Sequence, residues 1–232
     1  MVGSLQLYSS LLQLPGIESP EMSPMEWLQF SWDQMGFMRW PLGLCLVLGI
    51  LLIIWKFADL MVKSARTKRI LSKVNALLAE QRVEEAMEVC RGSNSPAANI
   101  LFAGLERRQE GPERVMKAVE NQGLLELTKL ESGLVWLATL TNVAPLLGFL
   151  GTVVGMIIAF EAIELAGEVD PTTVAGGIKV ALLTTAAGLA IAIPVSIAHN
   201  YFVSRIDSLV IDMEESAQKM IDTIHAMGSR QV

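Results

Sequence analysis

The sequence predicts an all-α integral membrane protein with three transmembrane helices, and three observations carry that prediction. Apolar residues make up 52% of the 232-residue chain and charged residues only 18%, with a positive mean hydropathy. The apolar residues fall in long blocks: residues 132–160 hold no charged side chain, and residues 180–204 hold none apart from His199 when it is ionised. Each block exceeds the roughly 20 residues a helix needs to cross the bilayer core. The basic residues, finally, crowd into the segment between the first apolar block and the second.

Taken in order, residues 1–39 form a segment outside the membrane. No basic residue stands at its start and no apolar run precedes Pro15, so it is not expected to be a cleaved secretory signal. The first span is therefore expected to remain as an anchor. Residues 1–23 are interrupted by Pro15, Gly16 and Pro20. Residues 24–36 read as a short amphipathic interfacial helix, with Trp27, Trp32 and Trp40 clustered beside Phe30 and Phe37. An irregular aromatic anchor is the alternative. The first span, residues 40–61, includes Lys56, whose stem is expected to snorkel to the interface. Cys45 falls in that span and Cys90 beyond it, so both are expected to be packed free thiols rather than a disulfide.

Residues 62–131 read as a helical domain. Leu71, Val74, Leu77 and Leu78 keep helical spacing, as do Val83, Ala86, Met87 and Cys90. The run RGSNSP at residues 91–96 is a break, a helix follows from near Pro96 to near Gly111, and Pro112 opens another. From there the pattern continues into the second span without a strong stop, predicting one long helix that projects from the membrane. The mixed charge of this region reads as solvated helical faces. Residues 132–160 form the second span, 161–178 a loop, 179–204 the third span and 205–232 a terminal helix, with the second and third spans extended beyond the membrane.

Orientation follows from the cations. Residues 62–131 are rich in Lys and Arg, whereas residues 1–39 contain only Arg39 and residues 161–178 contain neither type. The positive-inside rule puts the helical domain and the C-terminus in the cytoplasm, and the N-terminus and the 161–178 loop outside. Lys63, Arg66, Lys68, Arg69 and Lys73 lie directly after the first span, where they could bind anionic lipid. Plain topology marking is the alternative.

The later spans carry the chemistry. Ala138, Asn142, Pro145, Gly148, Thr152, Gly155 and Ala159 share one helical face, and Gly151 pairs with Gly155 at a four-residue step. In the third span Ala181, Thr185, Gly188, Ala192, Ser196 and His199 do the same. Small residues let helices approach closely in lipid, so these faces predict a packing seam. Asn142, Thr152, Thr184, Thr185 and Ser196 need polar partners at that depth, supplied by their own helix backbone or by a shared hydrated path. Pro145 and Pro194 are expected to kink their helices and to free carbonyls for such a path. No Asp, Glu or Lys stands in mid-membrane, so a proton route would need a carboxylate from a partner. No nucleotide loop, metal-ligand cluster or nucleophile–base pair is present, and an enzyme, a metal or cofactor site and nucleic-acid binding are not expected.

Two motifs carry a family resemblance. Residues 144–156, APLLGFLGTVVGM, and residues 177–194, GIKVALLTTAAGLAIAIP, resemble the second- and third-span signatures of the MotA/TolQ/ExbB proton channel family. The likeness extends over roughly residues 40–210 and is nearest the three-span ExbB/TolQ subunits. It implies a pentameric ring in a bacterial inner membrane, with residues 1–39 and 161–178 periplasmic, around a single-span ExbD- or TolR-like partner whose intramembrane aspartate carries the proton. By position, Thr152 and Thr185 match the family's two pore-facing threonines, and Ala144, Gly148, Gly151, Gly155, Ala181, Gly188 and Ala192 fall on the seam. Val180 stands where many ExbB proteins have glutamate. The first functional expectation is a motor subunit that energises a TonB-like protein for outer-membrane transport. A Tol-type or gliding motor and a passive membrane scaffold are the alternatives.

Overall fold

The computed structural model describes residue 29, residues 32–167 and residues 170–228. Among these, the elements are all helical. A 3-10 turn at Gly36–Met38 leads into α1, Arg39–Ala79; α2 is Val83–Arg91, α3 Pro96–Glu106, α4 Pro112–Glu131, α5 Leu134–Ala166 and α6 Pro171–Gly228. Three of them, α1, α5 and α6, are long and apolar enough to cross a membrane. At 1.5 Å per residue α1 runs about 60 Å, α5 about 50 Å and α6 about 87 Å. All exceed the bilayer core of about 30 Å. The excess in α1 and α6 builds the second half of the molecule.

In the spanning half, α5 and α6 pack antiparallel along their small residues, and α1 leans on both. Gly49 makes the α1 approach possible: a methyl there would stand 3.1 Å from Val195 and 3.9 Å from Leu140. Only 22%, 28% and 33% of the most apolar windows of α1, α5 and α6 are buried within the chain, so most of their surface must meet lipid or other chains. Of the predicted interfacial helix, residues 24–28, 30 and 31 lie outside the described residues, as does all of 1–23. Trp32 to Gln34 are helical, and the Trp32 ring lies over Gly43 of α1, 2.7 Å from where a β-carbon would sit.

Beyond the spans, α2, α3 and α4 pack around the extensions of α1 and α6. Leu71, Val74 and Leu78 of α1 and Phe202, Ile206, Met213 and Met220 of α6 bury against Ala97, Leu101, Leu105 and Val115. The start of α3 is fixed by the Ser95 hydroxyl, which accepts from the Ala98 amide at 3.2 Å, with Pro96 in the first turn. Glu126, 3% exposed, holds α4 to α3 by accepting from Asn99 at 3.0 Å, and it also accepts from Gln122 and Lys129. Cys90 is a free thiol, and burial pushes it up to about 11. As a neutral thiol at ordinary pH it packs like a small apolar side chain.

The structure departs from the sequence pattern in two places. The 161–178 segment expected as a loop is helical at both ends, because α5 continues to Ala166 and α6 already begins at Pro171. The long helix expected from Pro112 into the second span is instead broken: Ser132 is extended at φ −53° and ψ 133°, and Gly133 is left-handed at φ +87°. Only glycine adopts that backbone without strain, and a β-carbon there would stand 2.8 Å from the Trp55 ring. Hydropathy and periodicity run across these two residues, which hid the stop. Lys56 also differs from expectation. Its head does not reach for water but is 1% exposed and faces this break.

Candidate ion path

The α5–α6 contact is built from residues whose missing side chains let the backbones meet. A β-carbon on Gly148 would come within 2.9 Å of the Thr184 carbonyl oxygen, and one on Gly188 within 2.6 Å of the Ala144 carbonyl oxygen. Further along, a β-carbon on Gly155 would stand 3.2 Å from the Ala181 nitrogen, and one on Gly177 2.4 Å from the Ala159 β-carbon. Ala144 and Ala181 are buried in this contact, and Ala192 is buried on α6. Gly177 and Ala159 extend the contact toward the end of α5 and the start of α6; the step from Gly177 to Ala181 repeats the spacing of Gly151 to Gly155, which is the signal that could have marked it.

The polar side chains sort into two kinds. Thr184 is fully buried: it fills the space left by Gly151, whose β-carbon would clash with it, and its hydroxyl donates to its own helix at Ala181 at 2.8 Å. Thr185, one position on, is only partly buried, and its hydroxyl crosses the seam to donate to the Gly148 carbonyl at 3.2 Å. Thr152 is likewise partly buried and donates to Phe149 of its own helix at 2.6 Å. Asn142 is exposed, with its amide donating to Ala138 at 3.0 Å, and Ser196 is partly buried on α6. Own-helix bonding thus accounts for Thr152, Thr184 and Asn142, while Thr185 alone of these reaches the neighbouring helix.

Pro145 and Pro194 both lie inside helices that continue through them. Each lacks an amide hydrogen, so the carbonyls of Thr141 and Ala190 lose their usual helical donor. Of the five basic residues after the first span, Lys63 is partly buried and paired with Asp59 at 2.9 Å, while Arg66, Lys68, Arg69 and Lys73 are exposed. They line the extension of α1 rather than the α5–α6 seam.

Fold and seam together define a polytopic, all-helical membrane protein organised around a close-packed pair of small-residue helices. The sequence profile of the MotA/TolQ/ExbB proton channel family matches residues 92–215, and the chain belongs to that family. Its curated relatives include a biopolymer transport protein ExbB homolog of Methanothermobacter thermautotrophicus, 32% identical over 72% of this chain and 58% of that protein. The exbB1 biopolymer transport protein of Vibrio cholerae is 29% identical over 73% of this chain and 76% of its own length. The Tol-Pal system protein TolQ of Pseudomonas aeruginosa is 37% identical over 51% of this chain and 58% of its own. The chain thus spans between about three-fifths and three-quarters of these relatives' lengths. It is a family subunit of the ExbB/TolQ type.

Proposed function

We propose that the chain is the pore-forming stator subunit of a proton-driven motor in a bacterial inner membrane. In this reading it assembles as a pentamer around an ExbD-like single-span partner and energises a TonB-like protein for outer-membrane transport. The N-terminus and the 161–178 segment face the periplasm, and the helical half and C-terminus lie in the cytoplasm. The observation that carries the reading is the pair Thr152 and Thr185, two partly exposed hydroxyls within a turn of Gly148 on a seam whose blocks 132–160 and 180–204 contain no Asp, Glu or Lys. A charged carboxylate in hydrocarbon costs roughly 2.5–3.5 kcal/mol by insertion scales, so a partner aspartate needs such groups nearby. Thr184, buried against Gly151, serves packing in this scheme, and Asn142 and Ser196 both line the route on the side of the threonines nearer the start of α5.

A Tol-type role is the second reading, favoured by the TolQ relatives among the matches. Complementation separates the two. The chain, produced with its single-span partner, should restore siderophore uptake to a strain lacking its ExbB/ExbD pair, and Thr152→Val or Thr185→Val should remove that restoration. Rescue of a tolQ strain instead would select the Tol branch. Native mass spectrometry showing only monomers, with no rescue of either strain, would overturn the motor reading and leave a scaffold.

A further inference from the structure

We propose that Lys56 is a positioning residue for the ion path: its ammonium clamps the break between α4 and α5 and so sets where and at what angle α5 begins. The functional half of this inference rests on the motor reading above; the structural half stands on geometry alone.

Lys56 Nζ donates to the Leu130 carbonyl at 2.7 Å and to the Ser132 carbonyl at 2.6 Å, 74 and 76 residues away in sequence. These oxygens sit at the C-terminal end of α4, where helical carbonyls lack backbone partners and the helix dipole is negative. Asp59, the nearest acid along α1, forms its ion pair with Lys63 at 2.9 Å, and the two carbonyls are the hydrogen-bond acceptors of Lys56. Its neighbour Trp55 completes the grip, with its ring against Gly133 and 5.9 Å from Nζ. Two adjacent residues of α1 therefore hold the two residues that separate α4 from α5. No side chain caps the first turn of α5, whose N-cap is Gly133 itself.

The mechanical consequence follows from length. Thr152 stands 18 residues beyond Leu134, the start of α5, a lever of about 27 Å at the helical rise. A tilt of about 10° at the break would displace Thr152 by roughly 5 Å over that lever. That is enough to part the Thr185–Gly148 hydrogen bond. Marking topology does not require this lysine, because Lys63, Arg66, Lys68 and Arg69 follow within a few turns.

The test compares Lys56→Met, Lys56→Gln and Lys56→Arg in the full chain, produced with its single-span partner. Three readouts are taken: accumulation in membranes, hydrogen exchange of the amides at 138–141, the first to be bonded within α5, and ion-driven uptake. Lys56→Met is expected to accumulate normally, to speed exchange at those amides at least tenfold and to lower uptake at least tenfold. Lys56→Arg should restore most of both. Wild-type uptake in Lys56→Met, or lost uptake with unchanged exchange, would overturn the proposal. If neither Lys56→Met nor Lys56→Gln accumulates while Lys56→Arg does, Lys56 acts in folding alone and the positioning role is also overturned. Absence of ion-driven work in the wild-type chain would instead defeat the motor reading, leaving the exchange measurement to judge the clamp.

Discussion

The Thr185 hydroxyl donates to the Gly148 carbonyl across the α5–α6 seam at 3.2 Å. In an unbroken helix that same carbonyl accepts the amide of Thr152, four residues on. The two threonines are thereby joined through one peptide group. Only a glycine at 148 lets α6 come close enough for this bond, since any β-carbon there would meet the backbone at Thr184 and Thr185.

Thr185→Val keeps the side-chain shape and removes the crossing hydrogen bond. The net cost to stability should be modest, about 0.5–1.5 kcal/mol, because the Gly148 carbonyl keeps its helical partner. Assembly should therefore survive while ion-driven work is lost, and Thr185→Ser should recover part of it. Thr152→Val should behave alike. Native mass spectrometry beside a complementation assay checks both halves, and full activity in either Val variant would reduce the hydroxyls to packing groups.

Two glycine substitutions should act in opposite directions. Gly188→Ala places a methyl 2.6 Å from the Ala144 carbonyl oxygen, which is backbone and cannot swing aside. The seam must then part, at about 1–3 kcal/mol. Gly123→Ala on α4 meets nothing within 4 Å and should stabilise by about 0.5–1 kcal/mol through helix propensity. Thermal unfolding in detergent measures both, and a shift of the same sign for the two would contradict the packing described.

The exposed cations Arg66, Lys68, Arg69 and Lys73 should contribute to binding anionic lipid, each by about 1 kcal/mol near such a surface. Lys63, held by Asp59, should contribute less. Replacing the four with Gln should deplete phosphatidylglycerol from the purified protein. Unchanged lipid content would leave them topology markers only.

Asp170 opens α6. Its carboxylate accepts from the hydroxyls of Thr172 and Thr173 and from both their amides, which holds it down to about 2. Because the folded value lies below the unfolded one, the stabilisation is present in full above the ordinary carboxylate range. It fades as pH falls toward 2. Exchange of the 172–174 amides, corrected for intrinsic rate, should be flat from pH 7 to pH 5. Asp170→Ala should fray this turn at every pH, and Asp170→Asn should retain most of the protection.

Much of this protein is set by the sequence alone. Block length and charge asymmetry predict three spans, since crossing a bilayer is a requirement on consecutive residues. Helical spacing likewise aligns Gly148, Gly151 and Gly155 without reference to any partner. The ends of helices were less legible: Pro96 and Pro112 were readable as starts, but the stop at Ser132 and Gly133 was masked by an apolar pattern that runs straight through it. Adjacent threonines posed a different problem. Thr184 and Thr185 differ by about 100° around one helix, and only the docking of α5 decides that the first is sealed against Gly151 while the second keeps an open side and reaches Gly148. The destination of Lys56 lies furthest from local pattern. A lysine near the end of a span is ordinarily expected to seek water, and it turns inward here because the fold carries the carbonyls of Leu130 and Ser132, more than 70 residues away, to within 2.7 Å of its nitrogen. Such a contact depends on how three helices dock together, and no stretch of the chain encodes it locally.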